Sequence, residues 1–229
     1  MYIYGKNVLR ETLNNKVKIK KAFVSKDFSD NNLLDDLEKV CKINYTDKRT
    51  LDKLTSGLHQ GVVLEVPDYK YADITELVKE NAFLIILDHI EDPHNFGAII
   101  RTSEAAGIDG IIIPKDRSVE VNGTVMKTSA GTLDKMKIAS VVNLNNTIDY
   151  LKKNGFWIVG TDMNGTCYTD IDYKGKIALI IGNEGKGMSR LIKENCDFIA
   201  SIPMKGSVNS LNASVAASII MFEAVKKRG

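Results

Sequence analysis

Apolar positions along this chain fall into two rhythms. From residue 82 onward, short and nearly continuous apolar runs at 83–87, 110–113, 137–142, 156–159, 177–181 and 198–202 read as strands. Segments of helical period lie between several of them and after the last, at 96–106, 147–153, 188–194 and about 209–226. Continuous apolar strands alternating with helices predict an α/β fold, a mostly parallel sheet covered by helices on both faces. The first third is shorter in its periods. It reads as a helix at 5–13, a strand at 20–24, a helix at 31–42, a strand at 43–45, a helix at 49–55 and a strand at 61–66. Pro67 and Asp68 break that pattern, and a polar stretch with two tyrosines follows. The expected organisation is a small α/β domain at 1–67, a linker at 68–81 and a larger α/β domain at 82–229.

Composition narrows the setting. Of 229 residues, 44% are apolar and 26% charged, ordinary for a globular protein. No apolar run nears the roughly 20 residues a membrane span needs. The start, Met1-Tyr2-Ile3-Tyr4-Gly5-Lys6, carries no signal-peptide pattern, so a cytoplasmic protein is expected. Cys41, Cys167 and Cys196 form no C-x-x-C pair, which points to reduced thiols and away from structural zinc. His89 and His94 flank Glu91 and Asp92, read here as a solvated loop rather than a metal site.

Net charge is only +2, but it is uneven. Residues 1–67 hold 12 basic against 9 acidic side chains, and the first 26 residues hold seven basic against one acidic. Lys16, Lys18, Lys20, Lys21 and Lys26 are therefore the candidate contacts to a phosphate backbone, although a solvated lysine face would look the same.

Candidate chemistry gathers at three strand exits, where open α/β sheets bind ligands. The first is Asp92-Pro93-His94-Asn95-Phe96-Gly97-Ala98-Ile99-Ile100-Arg101-Thr102. Here Asn95 is the expected helix cap, and Arg101 sits in an otherwise apolar helix that Gly107 ends. Such an arginine either snorkels to water or meets an anion. The second exit, Gly182-Asn183-Glu184-Gly185-Lys186-Gly187, is a tight glycine loop that matches neither a Walker A nor a G-x-G-x-x-G pattern. The third runs Ile202-Pro203-Met204-Lys205-Gly206-Ser207-Val208-Asn209-Ser210-Leu211-Asn212. Neutral hydrogen-bonding side chains crowd it beyond what capping by Asn209 or Ser210 requires, which favours a pocket for a polar small molecule or a sugar hydroxyl.

Together these three ordered motifs resemble the SpoU/TrmH family of RNA ribose 2′-O-methyltransferases, of the SPOUT class. Tyr4-Gly5-Lys6-Asn7-Val8-Leu9-Arg10-Glu11 and His59-Gln60-Gly61-Val62 resemble the substrate-binding module of its large-subunit rRNA guanosine branch. Ser103 and Ala213 stand where alanine and valine are expected. The resemblance implies a trefoil knot in the last third, a homodimer, and RNA but not DNA as partner. It implies S-adenosyl-L-methionine as methyl donor, held on Gly182, Ile202, Met204, Asn209 and Leu211, with the loop opening at Gly160 adding a wall. It makes Arg101 the catalytic residue, Asn95 and Glu184 its positioning partners, and Ser210 and Asn212 the holders of the hydroxyl or the donor's edge. Arginine in general holds its proton above about pH 12. A role as phosphate clamp and orienter therefore suits Arg101, with the proton leaving to phosphate, to water or to an unusually acidic Arg101. A tRNA ribose is the alternative substrate, and a non-catalytic RNA-binding assembly protein the alternative class.

Overall fold

The structure is a computed structural model that describes residues 1–55 and 57–229. In chain order the first elements are β1 (Tyr2–Tyr4), α1 (Lys6–Asn14), β2 (Lys21–Ser25), α2 (Asn31–Glu38), β3 (Ile43–Thr46), α3 (Lys48–Leu54) and β4 (Val62–Glu65). There follow β5 (Phe83–Asp88), α4 (Pro93–Ala105), β6 (Gly110–Pro114), α5 (Gly123–Thr128), β7 (Ile138–Val141) and α6 (Leu144–Lys153). The last are β8 (Trp157–Cys167), β9 (Ile177–Gly182), α7 (Arg190–Glu194), β10 (Phe198–Ser201) and α8 (Ala213–Arg228). Among the described residues no helix is long and apolar enough to cross a membrane.

The chain forms two compact units, Met1–Lys70 with Val121–Gly131, and Tyr71–Glu120 with Thr132–Gly229. This departs from the expected boundaries in two places. Residues 71–81 are not a free linker: a 3-10 turn at Ile74–Leu77, closed by a capping box from Asp73 and Glu76, sinks Leu77 into the core of the second unit. Residues 121–131 leave the second unit for the first. There the missing Cβ of Gly123 lets α5 sit against the Tyr2 carbonyl, which a side-chain carbon would meet at 2.7 Å, and Met126 packs on the core.

The first unit is a four-stranded sheet in the order β1-β4-β2-β3, with only β2 and β3 parallel. Helix α1 buries Val8 and Leu9, one face of its amphipathic pattern. The two N-terminal motifs meet: Gln60 Oε1 accepts from the Lys6 N–H at 2.9 Å, and the buried His59 accepts from the Gly61 N–H at 2.9 Å. The expected helix at 31–42 stops at Glu38, and β1 and α5 are additions that their short, mixed sequences did not signal.

The second unit is a six-stranded sheet, β10-β8-β9-β5-β6-β7, in which every pairing is parallel. All six residues of β5 are buried, as a central strand covered on both faces demands. On one face Leu84, Ile86, Ile112 and Ile180 pack with Leu144, Ile148 and Leu151 of α6 and Ile192 of α7. On the other, α4 runs along α8, where Ser103 is fully buried and bonds Met221 Sδ at 3.5 Å. A small residue is needed at that seam, and serine meets the need as alanine would. Strand β8 continues well past the expected 156–159, and its pairing with β10 jumps from Ile199↔Gly160 to Ala200↔Thr166. Residues 161–165 therefore bulge out of the ladder.

Candidate active site

The excursion of β8 has a consequence at the carboxyl ends of the strands. Residues 161–164 form one wall of a cavity of about 460 Å³, and residues 181–187, Lys193, Ile202, Met204, Asn209, Ser210 and Leu211 form others. Ala213, Ala216 and Ile220 of α8 also line it. Chain segments distant in sequence meet because β9 inserts between β8 and β5, so that the exits of β8, β9 and β10 converge. Gly160 is buried and does not line the cavity. A Cβ there would press on Cys196 Sγ and Met188, and the wall belongs to the four residues after it.

The glycine loop is built by backbone and by Asn183. Asn183 and Gly187 exchange both backbone hydrogen bonds, at 3.1 and 2.8 Å. The Asn183 side chain accepts from the N–H groups of Gly185 and Lys186 at 3.0 and 3.2 Å and donates to the His89 carbonyl at 2.9 Å. Gly182 has no room for a side chain, since a Cβ would lie 2.5 Å from the Gly187 carbonyl carbon and the Met188 nitrogen. Beneath the loop, Asp88 is 1% exposed and accepts from the Ser189 N–H at 2.7 Å, with His89 Nδ1 2.5 Å from its other oxygen. Sequence reasoning passed over Asn183 and Asp88. The one available signal was a carboxylate closing an otherwise apolar strand.

Three of the expected catalytic residues form one chain of hydrogen bonds. Asn212 Nδ2 donates to Asn95 Oδ1 at 2.9 Å, and Asn95 Nδ2 donates in turn to Glu184 Oε1. Each residue comes from a different motif. The caps differ from expectation: Asp92 caps α4, accepting from His94, and Asn95 sits inside the first turn, nearly buried. Helix α8 begins only at Ala213, because Asn212 Oδ1 accepts from the Ser214 and Val215 N–H groups and ends the approach there. The third motif is thus an irregular, bent segment rather than a helical turn, and residues 202, 204 and 209–211 of it line the cavity.

Arg101 stands apart. It is exposed and does not line the cavity. Six residues along a helix carry it about 9 Å down the axis from Asn95 and roughly 120° around it. The candidate RNA contacts Lys16, Lys18, Lys20, Lys21 and Lys26 are all exposed on the first unit, with Lys21 paired to Glu65 at 3.8 Å.

The electrostatics of the cavity centre on Asp162 and Lys193, whose Oδ2 and Nζ lie 2.8 Å apart. Burial opposes ionisation of Asp162, but hydrogen bonds from Lys193 and the Asn164 N–H, and the lysine's charge, hold its carboxyl below the ordinary range. Cys196, behind the wall, is pushed up to about 12 by burial, so it stays a neutral thiol.

The chain has counterparts among known proteins. A family description, SpoU rRNA methylase, matches residues 82–222, and a second, RNA 2′-O ribose methyltransferase substrate binding, matches residues 2–72. The chain belongs to the SpoU rRNA methylase family. It is an RNA 2′-O-ribose methyltransferase of the SpoU/TrmH group with a SPOUT-type fold. YacO of Bacillus subtilis, named as a TrmH family tRNA/rRNA methyltransferase, is 42% identical over 99% of this chain and 96% of its own. The SpoU methyltransferase AviRb of Streptomyces viridochromogenes, crystallised with AdoMet, is 26% identical over 99% of this chain and 90% of its own, with a TM-score of 0.78. An AdoMet-bound rRNA methyltransferase of Sinorhizobium meliloti is 25% identical over 98% of this chain and 86% of its own, with a TM-score of 0.77.

Proposed function

We propose that this SpoU-family enzyme transfers a methyl group from S-adenosylmethionine to the 2′-hydroxyl of a guanosine in large-subunit 23S rRNA. The observation that carries the reading is the Asn212–Asn95–Glu184 chain, which joins one residue of each motif beside the cavity. Its ribosomal substrate is supported by the Sinorhizobium meliloti rRNA methyltransferase, whose likeness extends over the N-terminal unit as well. A tRNA ribose is the alternative, and the joint tRNA/rRNA name of the Bacillus subtilis relative is what keeps it open.

The residues fit the donor. The cavity volume lies within the roughly 300–1,000 Å³ of small-molecule sites, with Ile181, Ala200, Leu211 and Ile220 as apolar lining and Gly182 and Ile202 also among its lining residues. Met204 and Asn209 line it as well. When bound, S-adenosylmethionine supplies an electrophilic sulfonium methyl. The protein's part is then alignment of a poor nucleophile. Glu184 is held by Asn95, which Asn212 fixes in turn, so the carboxylate has one orientation at the cavity edge. Ser210, exposed on the same lining, offers a hydroxyl to the ribose. DNA is excluded because it lacks the reacting hydroxyl. The same reading gives the last third a trefoil knot, supported by the meeting of residues 182–187 and 202–211 at one cavity.

Arg101 acts in this reading on the site of a second subunit, as a phosphate clamp and orienter. Its place on α4 supports that, since it cannot share the face of Asn95. A homodimer through α8 is supported by Val215, Ile219 and Phe222, a stripe at helical spacing with Val215 and Phe222 46% and 51% exposed.

The test is methyl-labelled donor incubated with separated 23S rRNA and tRNA, and the product mapped by resistance of the modified ribose to alkaline cleavage. Label in 23S rRNA is expected. Label confined to tRNA overturns the substrate, and no label in either overturns the activity. Arg101→Ala is expected to lower transfer by about 100-fold or more, an effect of the size of losing an oriented electrostatic group, while donor binding stays unchanged.

A further inference from the structure

The pair Asp162–Lys193 has no part in the chemistry described so far, yet both residues line the cavity. They come from separate elements, the bulged stretch of β8 and the last turn of α7. Their side chains remain 22% and 40% exposed, so solvent or a ligand reaches them. Asp162 is held from a second side, because its Oδ1 accepts from the Asn164 N–H at 3.0 Å. The other charged groups of the lining are differently placed. Glu184 is engaged by Asn95, and Lys186 sits on the exposed tip of the glycine loop. The cavity wall thus carries one close pair of opposite charges.

We propose that Asp162 and Lys193 form the subsite for the amino-acid end of the methyl donor, the lysine ammonium taking the α-carboxylate and the aspartate the α-ammonium. This rests on the reading that S-adenosylmethionine is the donor. A zwitterion is the complement of such a pair: one internal contact opens, and two charge-assisted hydrogen bonds of the same kind replace it. The exchange costs no net charge burial. The subsite therefore selects for a ligand carrying both groups more than it strengthens binding in general.

The experiment is calorimetric titration of the full chain with two probes, S-adenosylmethionine and 5′-methylthioadenosine, which keeps the adenosine and lacks the amino acid. Lys193→Met and Asp162→Asn, close in shape to the originals, are each expected to weaken S-adenosylmethionine by about tenfold, the scale of one hydrogen bond to a charged group. Binding of 5′-methylthioadenosine should change by no more than about twofold, within the scatter of such measurements. Lys193→Arg should keep most of the affinity for S-adenosylmethionine. Equal losses for both probes would assign the pair to the ribose or to the fold and overturn the subsite, as would no loss for either. A wild-type protein that binds neither probe overturns the donor reading itself, an outcome distinct from any of these.

Discussion

Gly182 and Asn212 show how single residues set this site. Gly182 ends β9 opposite Asp88 in the strand register, and the chain turns back so sharply that its Cα lies against the backbone of Gly187 and Met188. A methyl group there cannot be met by a side chain swinging away, because the obstacle is main chain. Gly182→Ala is expected to cost about 1–3 kcal/mol, as overpacking does, and to lower Tm by a few degrees. Donor affinity, read by calorimetry, should fall with it, because residues 182–187 line the cavity. Gly206→Ala is the control: nothing lies within 4 Å of its added carbon, and it should bind and melt as wild type. If both variants behave alike, the close approach at Gly182 is not what shapes the loop. Asn212 does two jobs with one side chain, capping α8 through its oxygen and donating to Asn95 through its nitrogen.

At the scale of elements, the informative features are places where regular structure stops. The bulge in β8 turns a strand into a cavity wall, and Asn183 turns the exit of β9 into a closed hairpin. The connection from α1 into β2 carries Lys16, Lys18 and Lys20, all exposed. Lys21, next in line, is answered by Glu65. Replacing Lys16, Lys18 and Lys20 by glutamate is expected to weaken RNA binding. It should also make the slope of log affinity against log salt shallower by about 2, the release expected for three phosphate contacts on single-stranded RNA. Filter binding across a salt series reads both. An unchanged slope would mean that this connection does not touch the phosphate backbone.

For the whole molecule, the apolar stripe on α8 and the outward Arg101 belong to one proposal. Phe222→Glu puts a charge on the most exposed residue of the stripe and should convert a dimer into a monomer in sedimentation velocity. Methyl transfer should fall to the level of Arg101→Ala, because no second subunit then supplies the arginine. A dimer that survives the charge would remove the α8 stripe from the interface, and a monomer that remains active would remove Arg101 from the neighbouring site.

Much of this was legible in the residues alone. Continuous apolar runs specified the parallel sheet, since strands buried on both faces admit few polar positions. Side chains whose chemistry is local and unusual, such as Asn95, Glu184 and Asn212, stood out as candidates, and the fold joins these three by hydrogen bonds. What the residues did not disclose depends on contacts across the fold. The β8 extension at 161–167 is polar and reads as loop, because its pairing is given by neighbouring strands and not by its own period. Asp162 meets Lys193 across 31 positions, and Asp88 meets Ser189 across 101, distances along the chain that no local pattern encodes. The assignment of residues 121–131 to the first unit is of the same kind: six helical residues of modest propensity take their place from the surface they pack on. The order of strands brought the second and third motifs to one cavity, and Asn95 of the first joins them only through hydrogen bonds to Glu184 and Asn212, contacts that exist only in the fold.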